Sequence, residues 1–284
     1  MAKRKGLGYQ VMEFLGSLRA YGHSKYLDKK LNHGKPATDK IYSYATYRTY
    51  FVVCMNYVDW LRGRYRCLYI DDARQYVPEY LQWRIDQHLS AHTIKKEASA
   101  LAKLYQCSYL DFGVDLPKRH RADRVLHRNA DRAEEYAKQY PELAEYCKAT
   151  GLRRSEIREL KIGDTYRDAS GQVIVHVAQG KGGRERYVVA LSDVALQMEE
   201  DAAAAGRERV FSKLPSRATI HMWRQEYARR VYAIFARPLE QIPRKERYYC
   251  RAELKGTVFD KRAMKTVSLM LGHSRLGVVV SYLA

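Results

Sequence analysis

The chain has 284 residues, with 51 Lys and Arg against 32 Asp and Glu and a formal charge of +19. That length suffices for one large domain or two modest ones, and that charge suits a partner of nucleic acid or of an anionic membrane surface. The membrane reading is weak: no apolar run approaches the ~20 residues of a bilayer span, and the opening MAKRKGLGYQVMEF lacks a signal-peptide core.

Taken in order, the first third reads as helices. Gly8–Tyr21 is a short amphipathic stretch. His23–Lys40 is polar and broken by Gly34-Lys35-Pro36, which predicts a loop. Tyr42–Arg62 carries apolar residues at helical spacing, and Asp71-Asp72 resembles an N-cap and acidic first turn for a helix to about His88. Ser90–Tyr105 is a further helix, with Ile94, Ala98, Leu101 and Leu104 on one face. These elements predict a compact helical N-terminal domain over residues 1–113. Val114–Ala130 follows, with five Arg and Lys against two Asp. It reads as a solvated basic linker over 114–130, and such a linker can also track a phosphate backbone. Lys118, Arg119, Arg121 and Arg124 are its candidate DNA-contacting cations.

Beyond the linker, residues 131–284 form a second domain. Asp131–Ala149 is helical, and TGLRRSEIREL (Thr150–Leu160) runs into another helix near Arg154. Gly171–Gly180 is β-branched and bounded by glycine, and with Gly182–Leu191 it makes a hairpin whose turn carries Lys181. Helices resume at Ser192–Ala205, Ala218–Ala236 and Val258–Leu271, with the basic segment Pro243–Gly256 before the last. The expected class is mainly α with a small antiparallel β-sheet. Cys54, Cys67, Cys107, Cys147 and Cys250 are odd in number and form no CxxC pair, which argues for reduced thiols in a cytoplasmic protein and against structural zinc. The 24 Tyr against 6 Phe fit a polyanion partner, although most of these rings will also pack in cores.

Four local signals bear on chemistry. Arg153, at a helix start, can grip two phosphate oxygens with its rigid fork while the helix N-terminus adds positive charge; it could equally be an ordinary surface residue. Lys181, flanked by glycines, can swing into a groove and protonate a leaving oxygen, or be a plain basic turn. Arg184 and Arg186 are candidate DNA contacts or a solvated strand edge. His273 and Tyr282 lie nine residues apart near the chain end; each alone could be a packing residue. Their conjunction carries the argument.

In that order and spacing the motifs resemble the tyrosine recombinases, which include phage-type and conjugative-element integrases and Xer-type resolvases. TGLRRSE resembles the family's TGLRxSE, QGKGGRERYVVAL its GKGxKxRxVPL, and LGHSRLGVVVSYL its closing LGHxxxxxxxxY. The resemblance covers about Asp131 to the C-terminus and, more loosely, the N-terminal helices. It implies a helical core-DNA-binding domain followed by a DNA breaking-rejoining catalytic domain. Tyr282 would attack a DNA phosphate to give a 3′-phosphotyrosine, Arg153 and a second arginine would neutralise the transition state, Lys181 would protonate the departing 5′-oxygen, and His273 would hydrogen-bond the phosphate. It further implies no metal, ATP or other cofactor, double-stranded recombination sites as substrate, a synaptic tetramer on DNA and accessory DNA-bending or directionality proteins. The implied setting is the nucleoid in the cytoplasm of a bacterial or archaeal cell, with a mobile element as the implied carrier of the gene.

The second arginine departs from the family pattern. No HxxR lies at the customary distance before the LGH histidine; YYCR places Arg251 22 residues before His273, with Tyr248 in the histidine slot. Arg247 is the alternative. A phenol, with an ordinary pKa of ~10, is a poor base near neutrality, so Tyr248 would position a phosphate oxygen or water. Only Leu283 and Ala284 follow Tyr282, whereas many relatives extend a helix into a neighbouring protomer. A type IB topoisomerase-like or telomere-resolvase enzyme, and a catalytically inactive DNA-binding regulator on the same scaffold, are the rival readings.

Overall fold

The computed structural model describes residues 5–31, 39–120, 130–181, 183–216 and 218–284. The chain divides into two compact units, Met1–Val125 and Leu126–Ala284. It is mainly α, with two small antiparallel sheets. Among the described residues no helix is long and apolar enough to cross a membrane.

The first unit contains α1 (Leu7–Ser17), α2 (Lys25–Leu31), α3 (Tyr44–Arg62), α4 (Val77–Asp86) and α5 (Ala91–Leu104). The Ser43 and Ser90 hydroxyls accept the Thr46 and Thr93 N–H groups and so fix the starts of α3 and α5. Val11, Leu15, Cys54, Tyr57, Val58, Leu61, Leu81 and Leu101 form the core where α1, α3, α4 and α5 meet. One charge is buried there: Glu97 takes two hydrogen bonds from Arg84, at 2.8 and 2.7 Å. The pairing keeps the carboxylate satisfied, and the Tyr80 hydroxyl donates to it as well at 3.4 Å.

Two expectations need correction in this unit. The stretch 23–40 is not wholly loop, because Lys25–Leu31 is helical; residues 32–38 lie outside the described residues. The helix expected from Asp71 begins as a 3₁₀ turn, Asp72–Tyr76, and becomes α-helical only at Val77, where Pro78 suits a first turn.

The second unit opens with α6 (Ala130–Gln139) and α7 (Pro141–Thr150), which were expected as one helix. Pro141 lacks an N–H and ends the first helix, while serving well at the start of the second. Then come α8 (Arg154–Glu159), β1 (Thr165–Arg167), β2 (Val173–Val177), β3 (Arg186–Val189), α9 (Val194–Ala204) and α10 (Ile220–Phe235). The strands form one antiparallel sheet in the order β1-β2-β3. β1, three residues long, is too short for a period-2 signal. The basic segment 243–256 is not simply a connector, since β4 (Arg247–Tyr249) pairs antiparallel with β5 (Val258–Asp260). The expected helix from Val258 therefore starts three residues later as α11 (Lys261–Met270), where the Asp260 carboxylate caps the Arg262 N–H at 2.8 Å. The last element is α12 (Leu276–Leu283). Its run Val278–Val280 is β-branched and a poor helix former, so tertiary packing holds it.

α10 is the central post. It packs on α7, α11 and α12, with Trp223, Tyr227, Ala228 and Val231 buried against Tyr146, Met264, Val267, Val279 and Tyr282. The turn after α7 presses against it: Gly151 has φ +61°, and a Cβ there would lie 2.2 Å from the Tyr227 ring. Glycine is required at Gly151 on two counts, the left-handed backbone and the missing space. Gly151→Ala is expected to lower unfolding free energy by about 3 kcal/mol in a urea titration; a loss under about 0.5 kcal/mol would contradict this packing.

Candidate active site

The α7–α8 turn places Arg153 as the residue before α8. Its backbone N–H donates to Glu156 Oε2 at 2.7 Å, one Nη donates to Glu156 Oε1 at 2.7 Å, and the other donates to the Leu271 carbonyl at 3.1 Å. From β3, Arg186 reaches the same carboxylate with two parallel bonds of 2.8 Å, and its Nε donates to the Met270 carbonyl at 3.1 Å. Glu156 is 2% exposed. Burial alone would raise its pKa, but the hydrogen bonds and charge of Arg186, with the charge and backbone N–H of Arg153, hold it down to about 2.

A third guanidinium enters from α10. Arg224 is 1% exposed; it donates to the Gly151 carbonyl, and to the Leu271 carbonyl at 2.7 Å. Burial, and then the charge of Arg153, bring its pKa down to about 10, with Tyr282 and Glu156 acting in the opposite sense. It remains charged at neutrality. Three arginines thus gather on two carbonyls at the C-terminal end of α11, where the helix dipole is negative, and two of them, Arg153 and Arg186, share the Glu156 carboxylate.

Tyr282, on α12, lies against this group. The Arg224 guanidinium carbon is 5.7 Å from its ring centre. The His273 ring lies 5.5 Å away, and His221, one helical turn before Arg224 on α10, meets it edge-on at 5.3 Å. His273 follows Gly272, and its pKa is lowered to about 4 by burial and then by Arg224, Arg153, Arg186 and Lys181. It is neutral at pH 7. Of the buried side-chain polar atoms that have no hydrogen-bond partner among the described residues, two lie in this cluster, Arg224 Nε and His273 Nε2. Lys181 is exposed in the β2–β3 turn.

Arg153, Lys181, His273 and Tyr282 are thus brought into one neighbourhood, and Arg251 and Tyr248 fall elsewhere. Arg251 is exposed at the tip of the β4–β5 ribbon. Tyr248 packs on the outer side of α12, where its hydroxyl lies 3.3 Å from the position of a Cβ on Gly277. The guanidinium beside Tyr282 is Arg224, in the string His221-Met222-Trp223-Arg224, an HxxR motif further upstream than the customary spacing. The interval to His273 is lengthened by the β4–β5 ribbon. The signal was present in the sequence, at the start of the expected helix 218–236. Arg247 donates to the Ile242 and Leu239 carbonyls and serves as a local brace. Arg186 is another correction: its side chain is 8% exposed and its donors are spent on Glu156 and Met270, so it is a brace, not a surface cation. Arg184 is half-buried, and Lys118 and Arg119 are exposed in the first unit. Arg121 and Arg124 lie outside the described residues.

No protein-family model and no curated protein matches this chain. Solved structures do. XerH site-specific recombinase bound to a palindromic difH substrate, in a post-cleavage complex, matches with a TM-score of 0.57 and 15% identity over 97% of this chain and 90% of its own. The same recombinase in a pre-cleavage complex with difH matches with a TM-score of 0.52 and 14% identity over 98% and 91%. The chain therefore has the tyrosine-recombinase fold.

Two measurements check the electrostatics. The folded pKa of Glu156 lies below its ordinary value, so its stabilisation is complete above about pH 4.5 and is lost as pH falls toward 2; Glu156→Gln is expected to cost about 3 kcal/mol at pH 7 and progressively less down that window. A gap that does not change with pH would contradict the pairing. In an NMR titration His273 is expected to protonate near pH 4, and a midpoint at the ordinary value of about 6.5 would contradict its burial among cations.

Proposed function

We propose that the protein is a site-specific DNA recombinase that cuts and rejoins duplex DNA through a 3′-phosphotyrosine intermediate, without metal or ATP. The observation that carries this reading is the cluster around Tyr282. Three guanidiniums gather around one carboxylate, Glu156, which accepts from two of them, and two buried ring and guanidinium nitrogens, Arg224 Nε and His273 Nε2, lack partners beside a phenol. Such a site is short of one anion, and a phosphodiester supplies both the charge and the acceptor oxygens.

In the proposed reaction Tyr282 Oη attacks the scissile phosphorus and loses its proton to His221. The P–O5′ bond breaks as the tyrosyl ester forms, and Lys181 delivers a proton to the leaving 5′-oxygen. Arg153 and Arg224 hold the non-bridging oxygens as negative charge builds on them, and neutral His273 donates from Nε2. Attack by a 5′-hydroxyl of another strand reverses these steps. The ester conserves the energy of the broken bond, so no nucleotide is consumed.

The same reading assigns core-DNA binding to residues 1–113 and DNA tracking to the linker 114–130, with Lys118, Arg119, Arg121 and Arg124 on phosphates. Four protomers would assemble on two sites, assisted by accessory DNA-bending or directionality proteins. An inactive regulator would form no covalent adduct with DNA on any site, an outcome this reading does not expect. The topoisomerase-like alternative predicts relaxation of a supercoiled plasmid that lacks any recombination site, an outcome this reading does not expect.

The test uses a substrate nicked beside the cleavage site, which traps the covalent adduct. Wild type is expected to form it, Tyr282→Phe to form none, and Arg224→Ala to slow it by about 10²–10³. Absence of any adduct with wild type on its own site, or an adduct that persists in Tyr282→Phe, would overturn the proposal.

A further inference from the structure

The β4–β5 ribbon is left without a role by the chemistry above. It carries five Arg and Lys against two Glu over 243–256, and one of those carboxylates, Glu246, accepts from Arg237 at 2.6 Å. Arg244, Lys245, Arg251 and Lys255 are exposed, and Tyr249 beside them is 52% exposed.

The mount beneath these charges is rigid. Arg237 grips Asp260 with bonds of 2.8 and 2.9 Å while holding Glu246. Arg247 is tied to two carbonyls, and Lys261 Nζ donates to the Lys245 carbonyl at 2.8 Å. The tip is a loop over 251–256 with a 3₁₀ turn at Ala252–Leu254, closed by the Cys250 N–H on the Thr257 carbonyl at 3.0 Å. Within it Ala252 has φ +52°, a conformation that costs any residue with a Cβ and that persists mostly where a functional surface is over-determined by its surroundings. The residue before it is Arg251. A solvated charge run needs no such mount.

The ribbon also adjoins the reaction centre. Tyr248 lies against Gly277 on α12, the helix that carries Tyr282, and packs with Leu276 and Val278 on the core. We infer that the β4–β5 ribbon is a second phosphate-backbone contact, in which Arg244, Arg251 and Lys255 engage duplex DNA flanking the phosphate held at Tyr282. The inference rests on the recombinase reading for its ligand. Fixed cations at a set distance from the scissile phosphate hold the duplex in register without reading its bases.

The test compares wild type with Arg244→Ala/Arg251→Ala/Lys255→Ala, all surface positions, in binding to a fluorescent duplex of about 30 bp across a salt series. Each lost phosphate contact should make the log–log salt slope shallower by about 0.9, so a change of about 2–3 is expected, with affinity at least about tenfold weaker and an unaltered melting temperature. In parallel, Lys255→Cys bearing an aryl-azide crosslinker should attach to the duplex on illumination. An unchanged slope and affinity together with no crosslink would overturn the contact. The trapped-adduct assay separates the two levels: binding lost in the triple variant while wild type forms no adduct leaves the DNA contact standing and removes the recombinase.

Discussion

One buried carboxylate organises the second unit. Glu156 accepts from Arg153 and Arg186 at once, and the carbonyls of Met270 and Leu271 take the remaining pull of those residues and of Arg224. Like charges 4 Å apart repel by ~4 kcal/mol at an effective dielectric constant of 20, so three guanidiniums could not be gathered here without these acceptors. Small residues make the gathering possible: a Cβ on Gly180 would lie 2.8 Å from an Arg186 Nη, and one on Gly272 3.0 Å from Arg186 Cδ. Gly180 and Gly272 thus serve the ion pair as well as the backbone.

The counterweight is incomplete, and that imbalance connects fold to chemistry. One carboxylate and a helix C-terminus offset part of the charge on three arginines, with Lys181 adding to it. The surplus falls where Tyr282 packs. Burial, together with this surplus, keeps His273 neutral and therefore a donor through one ring nitrogen only. On the proposed reading a phosphodiester would relieve this surplus, most of all in the pentacoordinate transition state, where its negative charge is greatest.

Much of this was legible in the sequence. TGLRRSE, GKGGRER and LGHSRLGVVVSYL located Arg153, Lys181, His273 and Tyr282 through short local motifs whose spacing a single turn or hairpin dictates. What distance in the chain alone could not locate was Arg224. Counting back from His273 leads to Arg251, because the ribbon inserted between α10 and α11 lengthens the interval, and only packing of α10 against α12 shows which arginine faces the phenol. Arg186 misleads in the opposite way: it lies in a strongly basic string, yet strand alternation and Glu156 turn it inward. The break at Pro141 was visible as a proline inside a helical pattern, and its consequence is two helices. β1 and α12 follow from tertiary contacts that neither period-2 alternation nor helix propensity records.

The central claim is that Arg224 exists to neutralise a phosphate, and its most direct test is cleavage of a nicked substrate whose scissile phosphate is replaced by an uncharged methylphosphonate. If neutralisation is its role, Arg224→Ala should lose far less activity on the neutral linkage than on the ordinary one, narrowing a deficit of about 10²–10³ to within about tenfold. An equal deficit on both linkages would contradict the account, because it would mean that Arg224 supports the site's shape and not the charge of its substrate.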